Sequence, residues 1–154
     1  MPMKSVLFGM LLSCLFVSCH YNSNSITLES NAAPLKFKLD GSDEVQWIWI
    51  QGPYQNMREP APKLADQGVI WTIVPPGGKF VPMKEVPPIT YGQLPEGWKQ
   101  LAPQAGSPPP PLLDGYVYHI DAVLVRGAAP TLCVYVKGGQ LQRHTEEHLN
   151  SPCK

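Results

Sequence analysis

The chain has no excess of either charge. Its 154 residues include 12 Lys and Arg and 12 Asp and Glu, so the formal net charge at pH 7 is zero. A protein that binds the phosphates of nucleic acid usually concentrates positive charge on one surface. The composition therefore predicts no nucleic-acid partner. Charged residues make up 16% of the chain and apolar residues 44%, which suffices for the core of one small domain.

Long apolar runs, helical periodicity and catalytic motifs are also missing. The longest apolar stretch covers residues 6–17, which is shorter than the roughly 20 residues that a transmembrane helix needs. From Ser25 onward, no apolar repeat of helical period extends beyond two turns. The sequence contains neither a Gly-rich phosphate loop nor the G-x-S-x-G motif of serine hydrolases. We therefore expect no catalytic residues, no cofactor and no metal site.

Residues 1–18 have the composition of an export signal. Lys4 provides the single positive charge, the apolar stretch 6–17 follows, and the small residue Ser18 ends the segment. This order is typical of a secretory signal peptide, which is removed from the mature protein. Because Lys4 is the only charged residue lost, the mature chain would carry a net charge of −1.

The end of this segment, Leu15–Cys19 (LFVSC), resembles the lipobox of bacterial lipoproteins. In that family a small residue precedes a cysteine that is lipidated and becomes the new N-terminus; Phe16 stands where the family more often carries Leu. The resemblance implies lipidation of Cys19, with palmitate among its acyl chains, and a membrane as partner. His20 follows in place of the Asp that tends to retain such proteins in the inner membrane. The resemblance thus implies the outer membrane, facing the periplasm.

The rest of the chain is predicted to consist of a tether, residues 19–25, and one β-domain, residues 26–154. Apolar and polar residues alternate in segments that proline and glycine separate, as in half-buried strands. The candidate strands are 25–29, 35–40, 44–51, 68–74, 116–125, 131–137 and 140–144.

One spacing in this domain suggests its fold. Leu112, Gly115 and Tyr118 stand at i, i+3 and i+6 after a proline-rich segment. The spacing resembles the tyrosine corner of fibronectin type III and immunoglobulin-like domains, in which a tyrosine hydroxyl bonds an upstream backbone group. We therefore predict an all-β fold, a small Ig- or fibronectin-like β-sandwich.

Two segments are predicted to carry function because they are long and irregular. One is the loop 52–66, and the other is the crossover 75–111, which holds most of the chain's 18 prolines. The crossover would lie over the sandwich as an ordered connection with Trp98 as its plug, or would serve as a polyproline-II ligand. The aromatic residues Tyr54, Tyr91 and Trp98 would form an exposed binding platform, or would cover the sandwich edges.

The cysteines and histidines allow further interpretations. Cys133 and Cys153 are a disulfide candidate in an exported chain; the alternative is a buried Cys133 thiol and a free Cys153. Residues 144–148 (HTEEH) match the H-x-x-E-H zinc-peptidase motif, but too few residues follow for a third ligand, and a solvated polar tail is the preferred interpretation. His119 and Asp121 share a strand face, where a structural pair is expected.

These observations together predict a membrane-anchored, periplasm-facing lipoprotein that acts as a binding or interaction module without catalysis. Its partner would be an envelope protein or a glycan. One alternative is an inhibitor or immunity-type protein that blocks an envelope enzyme or toxin. Another is a glycan or peptidoglycan binder.

Overall fold

The computed structural model describes residues 23–55 and 68–145. Within these ranges the chain forms ten strands and two single turns of 3-10 helix, Pro76–Gly78 and Met83–Glu85. The strands are β1 Ser25–Leu28, β2 Lys36–Asp40, β3 Glu44–Gln55, β4 Gly68–Val74, β5 Val81–Pro82, β6 Ile89–Thr90, β7 Lys99–Ala102, β8 Tyr116–Leu124, β9 Thr131–Lys137 and β10 Gln140–Arg143.

The strands form two antiparallel sheets that pack together as a sandwich. The smaller sheet has the order β1-β2-β6, and the larger has the order β10-β9-β8-β3-β4-β7, with β5 also paired to β3. The predicted all-β sandwich is confirmed.

The core lies between the sheets and is built from alternate residues of each long strand. Phe37 and Leu39 point inward from the smaller sheet, and Ile48, Ile50 and Trp71 point inward from the larger one. All five side chains are fully buried. Because burial of apolar surface is the main favourable term in folding, this inter-sheet layer is what holds the two sheets together.

The proline-rich crossover 75–111 contributes strands to both sheets, whereas the sequence predicted an irregular connection. It supplies β6 to the smaller sheet and β5 and β7 to the larger one. Trp98 is buried in the main core, as the plug interpretation predicted. Strands of two to four residues produce no periodic pattern, so only the tertiary pairing reveals them.

Gln100 holds the loop that follows β7. Its amide nitrogen Nε2 donates to the carbonyl oxygens of Pro103 (3.0 Å) and Ser107 (2.7 Å). Its oxygen Oε1 accepts a hydrogen bond of 2.8 Å from Nε1 of the buried Trp71. One side chain therefore satisfies backbone groups that the proline-rich loop leaves without regular partners.

A β-bulge in β3 separates Val45 from the sheet face that carries Trp47 and Trp49. Val45 pairs with Leu124 and Trp47 with Val123, so the register shifts between Val45 and Trp47. Simple alternation places Val45 on the same face as Trp47 and Trp49, but the bulge turns it toward the core, where it is fully buried. The two tryptophans remain on the opposite, outer face.

Tyr118 holds the segment that precedes β8 in place through a hydrogen bond. The backbone N–H of Leu113 donates a hydrogen bond of 2.8 Å to its hydroxyl oxygen, which is the contact that the tyrosine-corner resemblance implies. Gly52 makes room for the ring, because a Cβ at this position would lie 2.6 Å from Cδ1 of Tyr118, and its φ of +146° also disfavours other residues.

Replacement of Tyr118 by Phe should lower the free energy of unfolding by about 1 kcal/mol, the net value of one hydrogen bond. The ring would keep its packing, and only the bond to Leu113 would be lost. Chemical denaturation of both proteins measures the difference. Equal stability would contradict a stabilising tyrosine corner.

Candidate functional site

The outer face of the larger sheet carries a row of aromatic and polar side chains. The alternation of the sequence groups residues by face, but it does not show which face of the sheet is the outer one. Trp47 and Trp49 of β3 are half-buried there, with ring centroids 6.4 Å apart in an edge-to-face arrangement. Trp49 lies directly opposite Asp121 of β8, which in turn lies opposite Thr131 of β9. The row thus runs across three neighbouring strands.

Asp121 holds the side chains of this row in place through hydrogen bonds. Its Oδ2 accepts a hydrogen bond of 3.0 Å from Nε1 of Trp49, and its Oδ1 accepts one from the hydroxyl of Thr131. Both carboxylate oxygens are therefore engaged, and the indole ring of Trp49 is held in place by a charge-assisted bond. The expected pair of His119 and Asp121 does share this face, but the hydrogen bonds of Asp121 go to Trp49 and Thr131.

His119 and Tyr54 form the next part of the outer face. Their rings stack with centroids 4.2 Å apart and planes 17° apart, and the Tyr54 hydroxyl donates a hydrogen bond of 3.0 Å to Oε1 of Gln51. Burial lowers the pKa of His119 below 6.5; Asp121 opposes this shift and His144 adds to it. Burial, with a smaller contribution from Asp121, raises the pKa of Tyr54. Both rings are therefore neutral at neutral pH.

The three aromatic residues predicted as a binding platform occupy two separate parts of the molecule. Tyr54 belongs to the small cluster on the outer face, whereas Trp98 is buried in the main core and Tyr91 packs against that core. The Tyr91 hydroxyl donates a hydrogen bond of 2.7 Å to the carbonyl oxygen of Pro110, and burial raises its pKa. The structure does not bring the three side chains together.

A groove of about 620 Å³ adjoins Trp98 within the crossover 75–111. Leu94 and Leu101 contribute exposed apolar side chains to its wall. The prediction of a functional loop over 52–66 was wrong for residues 52–55, which belong to β3 and pair with β4 and β8. Residues 56–66 lie outside the described residues.

Cys133 is disulfide-bonded and lies on the outer face, opposite His119. Cys153, its predicted partner, and Cys19, the predicted lipidation site, both lie outside the described residues. Their pairing and lipidation remain predictions.

The possible zinc motif begins at His144, which lies next to Cys133 and 6.2 Å from the Tyr135 ring, centroid to centroid. Glu146, Glu147 and His148 of the motif are outside the described residues. In the described part of the chain, no three His, Cys, Asp or Glu side chains are grouped so that they would hold a metal ion.

No helix in residues 23–55 and 68–145 is both long and apolar enough to cross a membrane. No protein-family model, curated protein or solved structure matches this chain.

The lowered pKa of His119 predicts a pH-dependent stability. Because the folded protein keeps this side chain neutral while the unfolded chain takes up a proton near pH 6.5, the free energy of unfolding should fall as the pH drops below about 6.5. The variant His119→Gln should show a smaller fall between about pH 7.5 and about pH 5 in urea denaturation. The same fall in both proteins would assign the effect to other groups.

Proposed function

We propose that the chain is an exported bacterial lipoprotein, held at the membrane by acyl chains on Cys19, whose β-sandwich binds a partner in the cell envelope. The order of charge, apolar stretch and lipobox-like segment in residues 1–19 supports export and lipidation. The disulfide-bonded state of Cys133 also supports it, because structural disulfides persist in oxidising compartments and are rare in the cytosol.

The length of the tether would determine which end of the sandwich faces the membrane. Ser25, where β1 begins, follows Cys19 by six residues, which span at most about 21 Å when extended. The end of the domain near Ser25 also carries the loops 41–43 and 125–130. That end would stay close to the bilayer, and the end where β3 finishes would point away from it.

The binding role rests on one observation, the half-exposed pair of Trp47 and Trp49 on the outer sheet face. Large aromatic side chains that keep part of their surface exposed contribute strongly to binding, because they bury much area at small cost in conformational entropy. Asp121 reduces that cost further for Trp49 by holding its ring. A protein surface is the partner that we propose for this face.

A glycan is the second candidate partner. Aromatic rings beside polar groups suit a sugar, whose C–H face packs on a ring while its hydroxyls bond the polar atoms. Trp49 lies beside Asp121 and Thr131 in this way. Quenching of tryptophan fluorescence by peptidoglycan fragments, without capture of a protein, would favour the glycan.

The replacement of Cys19 by Ser should release the protein from the membrane fraction into the soluble periplasm, because the anchor would be lost. Cell fractionation with immunodetection measures this. Cys14→Ser is the matched control, since it removes a cysteine from the same segment, and it should leave the protein in the membrane. Membrane retention of Cys19→Ser would refute the lipid anchor.

The replacement of Trp47 by Ala should weaken capture of an envelope protein by on the order of tenfold or more, as expected for an aromatic residue central to an interface. The immobilised full chain would be incubated with solubilised envelope, and the bound proteins quantified by mass spectrometry. Leu101→Ala is the control, because Leu101 is exposed on an edge strand elsewhere. Equal loss, or no loss, in both variants would contradict binding through the tryptophan face.

A further inference from the structure

The tryptophan face consists of Trp47, Trp49 and the side chains beside them on the outer surface of the larger sheet. Val123 of β8 pairs with Trp47, and Thr72 of β4 pairs with Trp49. All four side chains are half-buried, so each keeps part of its surface in contact with solvent. Because interfaces between identical subunits are more apolar and poorer in charge than other protein surfaces, this composition suits an interface between two copies of the chain.

Two residues of opposite charge lie on opposite sides of this face. Asp121 of β8 is opposite Trp49, and both of its carboxylate oxygens accept hydrogen bonds, which hold its charge in place. Lys99 belongs to β7, at the edge of the sheet, and pairs with Val74. The residue before Val74 is Ile73, which is buried in the core, so Val74 and Lys99 lie on the outer face. Lys99 is exposed and has no ion pair within the described part of the chain.

We propose that two copies of this chain pack their tryptophan faces against each other about a twofold axis parallel to the strands. The inference rests on the proposed function, because it uses the same face and names its protein partner, a second copy. An axis in this direction places the β7 edge of each copy over β8 of the other. Lys99 of one copy would then lie above the strand that carries Asp121 of the other, and the symmetry would repeat this attraction twice.

The spacing of the charged residues fits this arrangement. Lys99 is level with Trp47 along the strands, and Asp121 is level with Trp49. Two residues of a strand span about 7 Å, which the long side chain of a lysine can bridge. Opposed sheets pack about 10 Å apart with their strands within about 30° of each other, so tryptophan side chains from both copies can fill the space between them.

The same axis suits two chains that are anchored in one membrane. Rotation about an axis parallel to the strands leaves the ends that carry Ser25 on the same side of the pair, whereas an axis across the strands would place them on opposite sides. Both sets of acyl chains could then enter one bilayer. Shared anchoring would also raise the effective concentration of each face for the other.

Sedimentation equilibrium of the purified full chain, in detergent matched in density to the solvent, tests the proposal. The protein should sediment with twice the mass of one mature chain. Trp47→Ala should raise the dissociation constant by on the order of tenfold or more, because it removes an aromatic side chain from the interface. Lys99→Glu should raise it by on the order of tenfold, because it brings like charges together at Asp121. Lys38→Glu is the matched control, since it makes the same change at an exposed position of the smaller sheet, and it should leave the dimer unchanged.

A monomer at every concentration would overturn the proposal. A dimer that resists Trp47→Ala or Lys99→Glu, or that Lys38→Glu weakens equally, would also overturn it. Lys99→Glu changes an exposed side chain, so it decides the outcome if Trp47→Ala does not fold.

The second copy and the proposed function can fail separately. A monomer that still captures a different envelope protein through Trp47 would overturn the second copy and leave the proposed function standing. A dimer of Cys19→Ser that Trp47→Ala and Lys99→Glu weaken would support the second copy even if the lipid anchor were refuted.

Discussion

The pairing of β3 with β8 is the constraint on which the other features depend. These two long strands form the centre of the larger sheet. Their register places Ile48 and Ile50 in the core, and their bulge adds Val45 to that face. The same register brings Trp49 opposite Asp121 and Tyr54 beside His119. A shift by one residue would exchange the two faces and put the tryptophans into the core.

Much of the fold could be predicted because its information is local. Leu35, Phe37 and Leu39 alternate with lysines, and this alternation alone predicts β2 and its buried face. The spacing of Leu112, Gly115 and Tyr118 predicted a contact that closes over five residues. Both features involve neighbours in sequence, so they depend little on the rest of the chain.

The candidate site was harder to predict because it depends on partners far apart in sequence. The bulge beside Val45 follows from the register with β8, some 80 residues later. The sequence predicts a loop from residue 52, but Tyr54 lies in β3, which continues to Gln55. A strand rich in Val, Trp and Ile on both faces does not indicate which face is outer.

The N-terminal segment and the disulfide-bonded Cys133 fit one account of an exported protein. A lipid on Cys19 would hold one end of the sandwich at the membrane, and the disulfide of Cys133 suits an oxidising compartment. Its most direct test is the intact mass of the protein purified from membranes, before and after reduction. The account predicts a chain that begins at a triacylated Cys19 and gains two hydrogen atoms on reduction. A chain that begins at Met1, or an unmodified Cys19, would contradict it.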